Sequence, residues 1–255
     1  MTPRLPAVFL AAPLAHRALH DATDGRPENS RAAVRAAIDH GYGIEIDVQL
    51  SADNQAMVFH DYALDRLAEG TGPVRVVPAG TLTKTPLKGG DEGIPTLAEV
   101  LDIVAGQVPL LIEIKDQDGA MGDAVGPLEQ ATADALADYT GPVALMSFTP
   151  HAVAACKTRA PHIPRGIVTS SYTAEDWPLN QSTRDHLRAI PDYDRVGASF
   201  ISHELADLAR PRVAQLKAQG ADVLCWTVKS PSDEAQARKV AQNITFEGSL
   251  APHPG

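Results

Sequence analysis

The sequence predicts a single (β/α)8 barrel, from its length, its alternation of strand-like and helix-like segments, and two strands that repeat one pattern of charge. At 255 residues the chain is within the usual span of one such barrel. Short apolar, β-branched runs alternate with stretches of helical period over most of that length, the order expected of a parallel sheet. In "GIEIDVQL" (43–50) and "LLIEIK" (110–115), isoleucines occupy one face while acidic or basic residues occupy the other.

Taken in order, strands are predicted at 8–15, 43–50, 56–60, 109–115, 142–148, 163–169, 195–201, 222–228 and 243–248. Helices are predicted at 29–40, 96–105, 122–138, 150–158, 182–189, 204–219 and 231–241. Ser30 lies at the start of the first helix, and Thr96 with Glu99 has the spacing of a capping box. Nine strands are one more than the barrel needs, so one is accessory. Only "SADNQ" separates the second strand from the third, too short for a parallel crossover, so distortion is expected there. Residues 62–95 are rich in Gly, Pro and Thr and read as a long excursion over the barrel mouth.

Composition narrows the partners. A net charge of −10 argues against a nucleic-acid backbone as ligand but leaves room for a local basic pocket. Cys156 and Cys225 lack any metal or disulfide spacing. The run "AVFLAAPLA" (7–15) is too short to span a bilayer. It reads as a core strand leading into His16-Arg17 rather than as a signal peptide, and the expectation is a cytoplasmic protein without stable membrane association.

The charged faces carry the chemistry. Glu45 and Asp47 share one side of their strand, and Glu113 and Lys115 share one side of theirs. At a barrel mouth Glu45, Asp47 and Glu113 would converge into an oxygen-only ligand set suited to Mg2+ or Ca2+. The competing reading is an ion-pair cluster neutralised by Lys115, but a single ammonium leaves the acids in excess. His16 and His60 each end a strand and fit an acid and a base acting at one centre. Arg17 and Lys115 suit a phosphate. Together these groups point to phosphodiester cleavage. Taken alone, "GRPENS" (25–30) is explained as a helix start, and Trp226 as core or as a wall for an alcohol group.

The motifs "AHR" (15–17), "RPENS" (26–30), "GIEIDVQLSADNQAMVFHD" (43–61), "LDR" (64–66), "IPTLAEVL" (94–101), "LLIEIK" (110–115), "SF" (147–148) and "CWTV" (225–228) together resemble the glycerophosphodiester phosphodiesterase family. The resemblance implies a TIM barrel, a divalent cation, and hydrolysis of a small glycerophosphodiester to glycerol 3-phosphate and an alcohol. It further implies His16 and His60 as the acid–base pair, Glu45, Asp47 and Glu113 as metal ligands, and Arg17 and Lys115 on the phosphate. Glu28 and Asn29 would support the site, and Phe148 and Trp226 would line it. The chain departs from the family pattern in three places. Ala18 stands where Gly is usual after "HR", "SADNQ" replaces Thr-Lys-Asp-Gly, and Phe246 follows Thr245 where Thr-Asp-x-Pro is expected. Rival readings are a phospholipase C- or D-like enzyme on the same barrel and a non-catalytic barrel that binds phosphorylated ligands.

Overall fold

A computed structural model describes residues 2–253. Its strands are β1 (Leu14–Ala15), β2 (Gly43–Leu50), β3 (Ala56–Val58), β4 (Leu110–Ile114), β5 (Val143–Ser147), β6 (Arg165–Thr169), β7 (Phe200–Glu204), β8 (Asp222–Val228) and β9 (Asn243–Phe246). The helices are α1 (Arg31–Asp39), α2 (Ala79–Leu82), α3 (Leu97–Val104), α4 (Pro127–Ala135), α5 (Pro150–Arg159), α6 (Gln181–Ala189), α7 (Pro211–Ala218) and α8 (Pro231–Ala237). The parallel order runs β1-β9-β8-β7-β6-β5-β4-β2 and closes through β1 on β2, giving an eight-stranded barrel.

The surplus strand is β3. It pairs antiparallel with β2, Val48 opposite Val58 and Leu50 opposite Ala56. Ser51 makes the turn by closing a backbone bond with Gln55 while its hydroxyl accepts from the Gln55 N–H, and Asn54 takes a left-handed conformation at φ 57°. The irregularity expected between the second and third strands is therefore a hairpin hung on the barrel, with β4 as the true parallel neighbour of β2.

Two-residue alternation sorts the side chains. Ile44, Ile46, Val48, Leu110, Ile112 and Ile114 pack outward in one core shared with the helices. Leu14, Leu111, Ala144, Val168, Phe200 and Leu224 form a second cluster inside the barrel, with Leu5 and Phe9 packed against it. Gly166 in β6 is needed here, because a Cβ would collide with the ring of Phe200.

Helix starts follow from capping chemistry. Ser30 accepts from the Ala33 N–H ahead of α1, and Thr96 and Glu99 form the reciprocal box of α3. Three segments differ from expectation. Residues 7–10 form a 3-10 turn instead of strand, leaving β1 only two residues. The strand expected at 195–201 lies at Phe200–Glu204, because Gly197 takes a left-handed turn (φ 63°) just before it. The helix expected from 204 starts at Pro211, where the fixed φ of proline favours the first helical position.

Residues 62–95 carry α2, a 3-10 turn at Val74–Val76 and an apolar cluster of their own, in which Leu64, Leu82, Leu87 and Ile94 pack with Met57 and Phe59. Among the described residues no helix is long and apolar enough to cross a membrane.

Candidate active site

The carboxylates meet because of strand register. Pairing of β2 with β4 sets Glu45 opposite Leu111 and Asp47 opposite Glu113. Inward orientation then brings ligand oxygens of Glu45, Asp47 and Glu113 within 4.8 Å of one another, all of them buried. Lys115 Nζ donates to Glu113 Oε1 at 2.7 Å and lies 3.4 Å from Asp47 Oδ1. Asn29 holds Asp47 from behind: its amide donates to Oδ2 at 3.0 Å and its carbonyl accepts the Asp47 N–H at 3.2 Å. Asn29 sits at φ 60°, a region that asparagine tolerates better than most residues.

Electrostatics separate the two acids of β2. Burial, reinforced by Asp47 and Glu113, pushes the Glu45 carboxyl well above the usual carboxylate range. Burial also acts against ionised Asp47, but Lys115, His60 and Arg17, with the Asn29 amide, outweigh it and hold that carboxyl low. With all three ionised the acids outnumber Lys115 and Arg17, the cations beside them, and Glu45 resists ionisation. Glu45, Asp47 and Glu113 thus fit a hard divalent cation, and the acid cluster can hold a metal ion.

Arg17 follows the end of β1 at φ 51° and Ala18 at φ 64°. Their backbone N–H groups donate to the Glu45 side chain and carbonyl, both at 2.9 Å. The turn thus keeps a left-handed residue at the position of the missing glycine, at a cost of roughly 1 kcal/mol in strain. Arg17 Nη1 reaches Glu28 Oε1 at 2.8 Å, and Glu28 Oε2 accepts from Arg66 at 3.0 Å. Glu28 and Asn29 therefore stand behind the site, tying down Arg17, Arg66 and Asp47.

The remaining predicted residues share one cavity of about 330 Å³, whose walls include His16, Arg17, Glu45, Asp47, His60, Glu113, Lys115, Phe148 and Trp226. Each histidine uses Nδ1 on a carboxylate. His60 contacts Asp61 Oδ1 at 2.7 Å, and Asp61 is gripped through both oxygens by Arg66, each at 2.7 Å. His16 contacts Glu247 Oε2 at 2.6 Å. Burial pulls the His16 imidazole below its ordinary value, against the opposing effect of its hydrogen bond to Glu247. The indole of Trp226 donates to the Ser202 carbonyl at 3.0 Å and meets Phe148 edge to face, centroids 5.5 Å apart.

Sequence reasoning missed Glu247, Lys229, Ser202 and Thr245, all on the cavity wall. It also missed Trp177, which packs on Phe148 at 4.9 Å and lines an adjoining annex of about 610 Å³ with Tyr62, Arg66 and Trp226. A signal existed for β9. In "NITFE" the polar Asn243, Thr245 and Glu247 alternate with Ile244 and Phe246, the same period seen in β2.

A family model described as the glycerophosphoryl diester phosphodiesterase family matches residues 16–244. The chain is 26% identical to the Bacillus subtilis protein YhdW, provisionally named a glycerophosphodiester phosphodiesterase, over 94% of each chain. It is 31% identical to a glycerophosphodiester phosphodiesterase of Caldanaerobacter subterraneus, over 60% of this chain and 65% of the relative. The fold is similar to that of an Oleispira antarctica phosphodiesterase solved with the product sn-glycerol-3-phosphate (TM-score 0.77, 24% identity, 94% of this chain and 93% of that one). A glycerophosphodiester phosphodiesterase of Parabacteroides distasonis is also similar in fold (TM-score 0.71, 21% identity, 91% of each chain). The match over residues 16–244, together with the motifs along the chain, places it: this protein belongs to the glycerophosphoryl diester phosphodiesterase family.

Proposed function

We propose that this protein hydrolyses small glycerophosphodiesters to glycerol 3-phosphate and an alcohol, with a divalent cation, Mg2+ or Ca2+, bound by Glu45, Asp47 and Glu113. One observation carries the proposal: the buried acid cluster, two cations and two carboxylate-held imidazoles all border the same cavity. Family membership and the product-bound fold relative support the choice of substrate.

The cation, when bound, supplies positive charge to phosphate oxygens and neutralises the acids around it. Arg17 and Lys115 add fixed donors for the phosphate, each already oriented by acidic neighbours. Reaction begins with a glycerol hydroxyl of the substrate attacking phosphorus. One histidine takes the hydroxyl proton, and the other gives a proton to the oxygen of the departing alcohol. Attack from within the substrate carries the rate advantage of an intramolecular step. Water then opens the cyclic phosphate with the protons returned, leaving glycerol 3-phosphate. Phe148 and Trp226 wall the cavity on its apolar side and limit the approach of bulk water.

The test is release of glycerol 3-phosphate from glycerophosphocholine, glycerophosphoethanolamine and glycerophosphoglycerol, each with Mg2+, with Ca2+ and with EDTA, beside phospholipid vesicles. Cation-dependent turnover of a soluble diester is expected. Turnover of vesicles alone, or equal turnover in EDTA, would overturn the proposal.

A further inference from the structure

Glu247 lies where the chain departs from the family pattern, two residues after Thr245 and in place of any Thr-Asp-x-Pro sequence. Barrel closure explains its location. β1 pairs with β9, Leu14 opposite Thr245 and Ala15 opposite Phe246, and the His16 N–H donates to the Phe246 carbonyl at 2.9 Å. The next residue, Glu247, is thereby brought beside His16, and its own N–H is anchored on the Val228 carbonyl at 3.0 Å.

The side chain completes a chain of contacts. Glu247 Oε2 meets His16 Nδ1 at 2.6 Å, while Oε1 accepts from Lys229 Nζ at 2.7 Å. His20 approaches the same carboxylate at 3.7 Å, with a buried Nε2 that has no hydrogen-bond partner. Arg17 and Asp47 are the other charged groups acting on His16, with opposite effects on its protonation. An ionised carboxylate only accepts, so Nδ1 of His16 must carry the proton. The lone pair of the neutral imidazole is then on Nε2, the nitrogen left for a ligand in the cavity.

His60 holds Asp61 in the same way, so the tautomer alone does not separate the two rings; burial of His16 disfavours its charged form and suits it to take a proton. We infer that Glu247 is a positioning residue for His16: it fixes the Nδ1–H tautomer and directs Nε2 to the attacking glycerol hydroxyl, with His16 acting as the base. The proton moves from that hydroxyl to Nε2 as the new oxygen–phosphorus bond forms, and His60 gives a proton to the departing alcohol as its bond to phosphorus breaks. The imidazolium produced is stabilised across the 2.6 Å contact with Glu247, whose other oxygen is held by Lys229. This inference rests on the proposed reaction for its kinetic consequence but not for the tautomer.

The experiment has two arms. In the first, wild type and Glu247→Gln with Mg2+ are assayed on glycerophosphocholine across pH. Glu247→Gln is expected to lower kcat by about 100-fold or more with little change in KM. Its acid limb should move to lower pH, because a neutral amide no longer supports the imidazolium. In the second arm, 15N NMR of histidine-labelled wild type without substrate reads the His16 tautomer, expected as Nδ1–H. Glu247→Asp, which keeps the charge, should recover part of kcat, and it stands in if Glu247→Gln fails to fold. A His16 Nε2–H tautomer, or folded Glu247→Gln within threefold of wild-type kcat, overturns the assignment. Failure of wild type to turn over any glycerophosphodiester defeats the proposed reaction instead, and the NMR arm still decides the role of Glu247.

Discussion

The floor and the flanks of the cavity are built by different means. The floor is strand-borne: Glu45 and Asp47 from β2 and Glu113 from β4 are set by register and buried between paired backbones. The flanks are loop-borne: His16 and His60 stand past strand ends, each steadied by a carboxylate that a cation in turn steadies, Glu247 by Lys229 and Asp61 by Arg66. A strand fixes the face on which an acid points, and bonds from Asn29, Arg17 and Lys115 then hold the carboxylates in place. A loop-held imidazole needs a partner on its second nitrogen to fix both its angle and its tautomer.

If that division is right, damage to the floor should be the most severe. Asp47→Asn removes charge from a buried acid of the proposed ligand set while its partners remain, and turnover should fall by roughly 10³-fold or more. Calorimetric titration of Mg2+ into the variant should show weakened binding in parallel. Intact cation affinity in Asp47→Asn would show that the floor does not hold the metal.

Loss of either imidazole comes next. His16→Ala and His60→Ala should each cost about 10²–10⁴-fold in kcat while leaving cation affinity near wild type, since neither is a proposed ligand. Steady-state kinetics with the same titration separates the two regions. Equal loss of cation affinity in the histidine variants would erase the distinction.

The steadying groups rank below the imidazoles they hold. Asp61→Asn should lower kcat by roughly 10- to 100-fold, since His60 keeps its ring but loses its orienting charge. It also frees Arg66 to rest on Glu28 alone. Little change in kcat would mean that packing, not Asp61, orients that ring.

The acid limb offers a test without mutation. Burial lowers the His16 imidazole below its ordinary value. Its basic form is therefore available at pH 7 and remains so at pH 6.5, where an ordinary imidazole is half protonated. On the acid side turnover should therefore reach half its maximum at a pH below 6.5. A decline centred at or above pH 6.5 would contradict a buried base.

The smallest effect tests the turn that joins the two regions. Ala18→Gly removes a Cβ from a left-handed residue at φ 64° and should raise stability by about 1 kcal/mol or less. Thermal melting reads this as a slightly higher Tm. A lower Tm would show that the methyl group packs more favourably than its backbone conformation costs.

The same contrast governs what could be read in advance. Alternation in "IEIDVQL" and "LLIEIK" made the acid floor legible, because a period of two dictates a shared face whatever the tertiary context. An irregularity was legible in "SADNQ", too short for a crossover, but its form as an antiparallel hairpin was not. Glu247 was less legible. It belongs to the alternating "NITFE" run, but only closure of β1 on β9 sets it against a histidine 231 positions away. Trp177 was hidden for a related reason. It sits in a loop without period, and its tilted packing against Phe148 and Tyr172 is a property of the folded rim. Glu28, a helix start on its local residues and a supporting residue by the family resemblance, is a brace between two arginines.

The antiparallel flap begun by β3 has a consequence for how this scaffold can change. Met57, Phe59, Leu82 and Leu87 form a nucleus separate from both layers of the barrel, yet Tyr62 and Arg66, carried on the same excursion, border the annex. Substitutions there can reshape the annex without resetting the hoop of eight strands, so the lining of that cavity and structural integrity are free to drift apart.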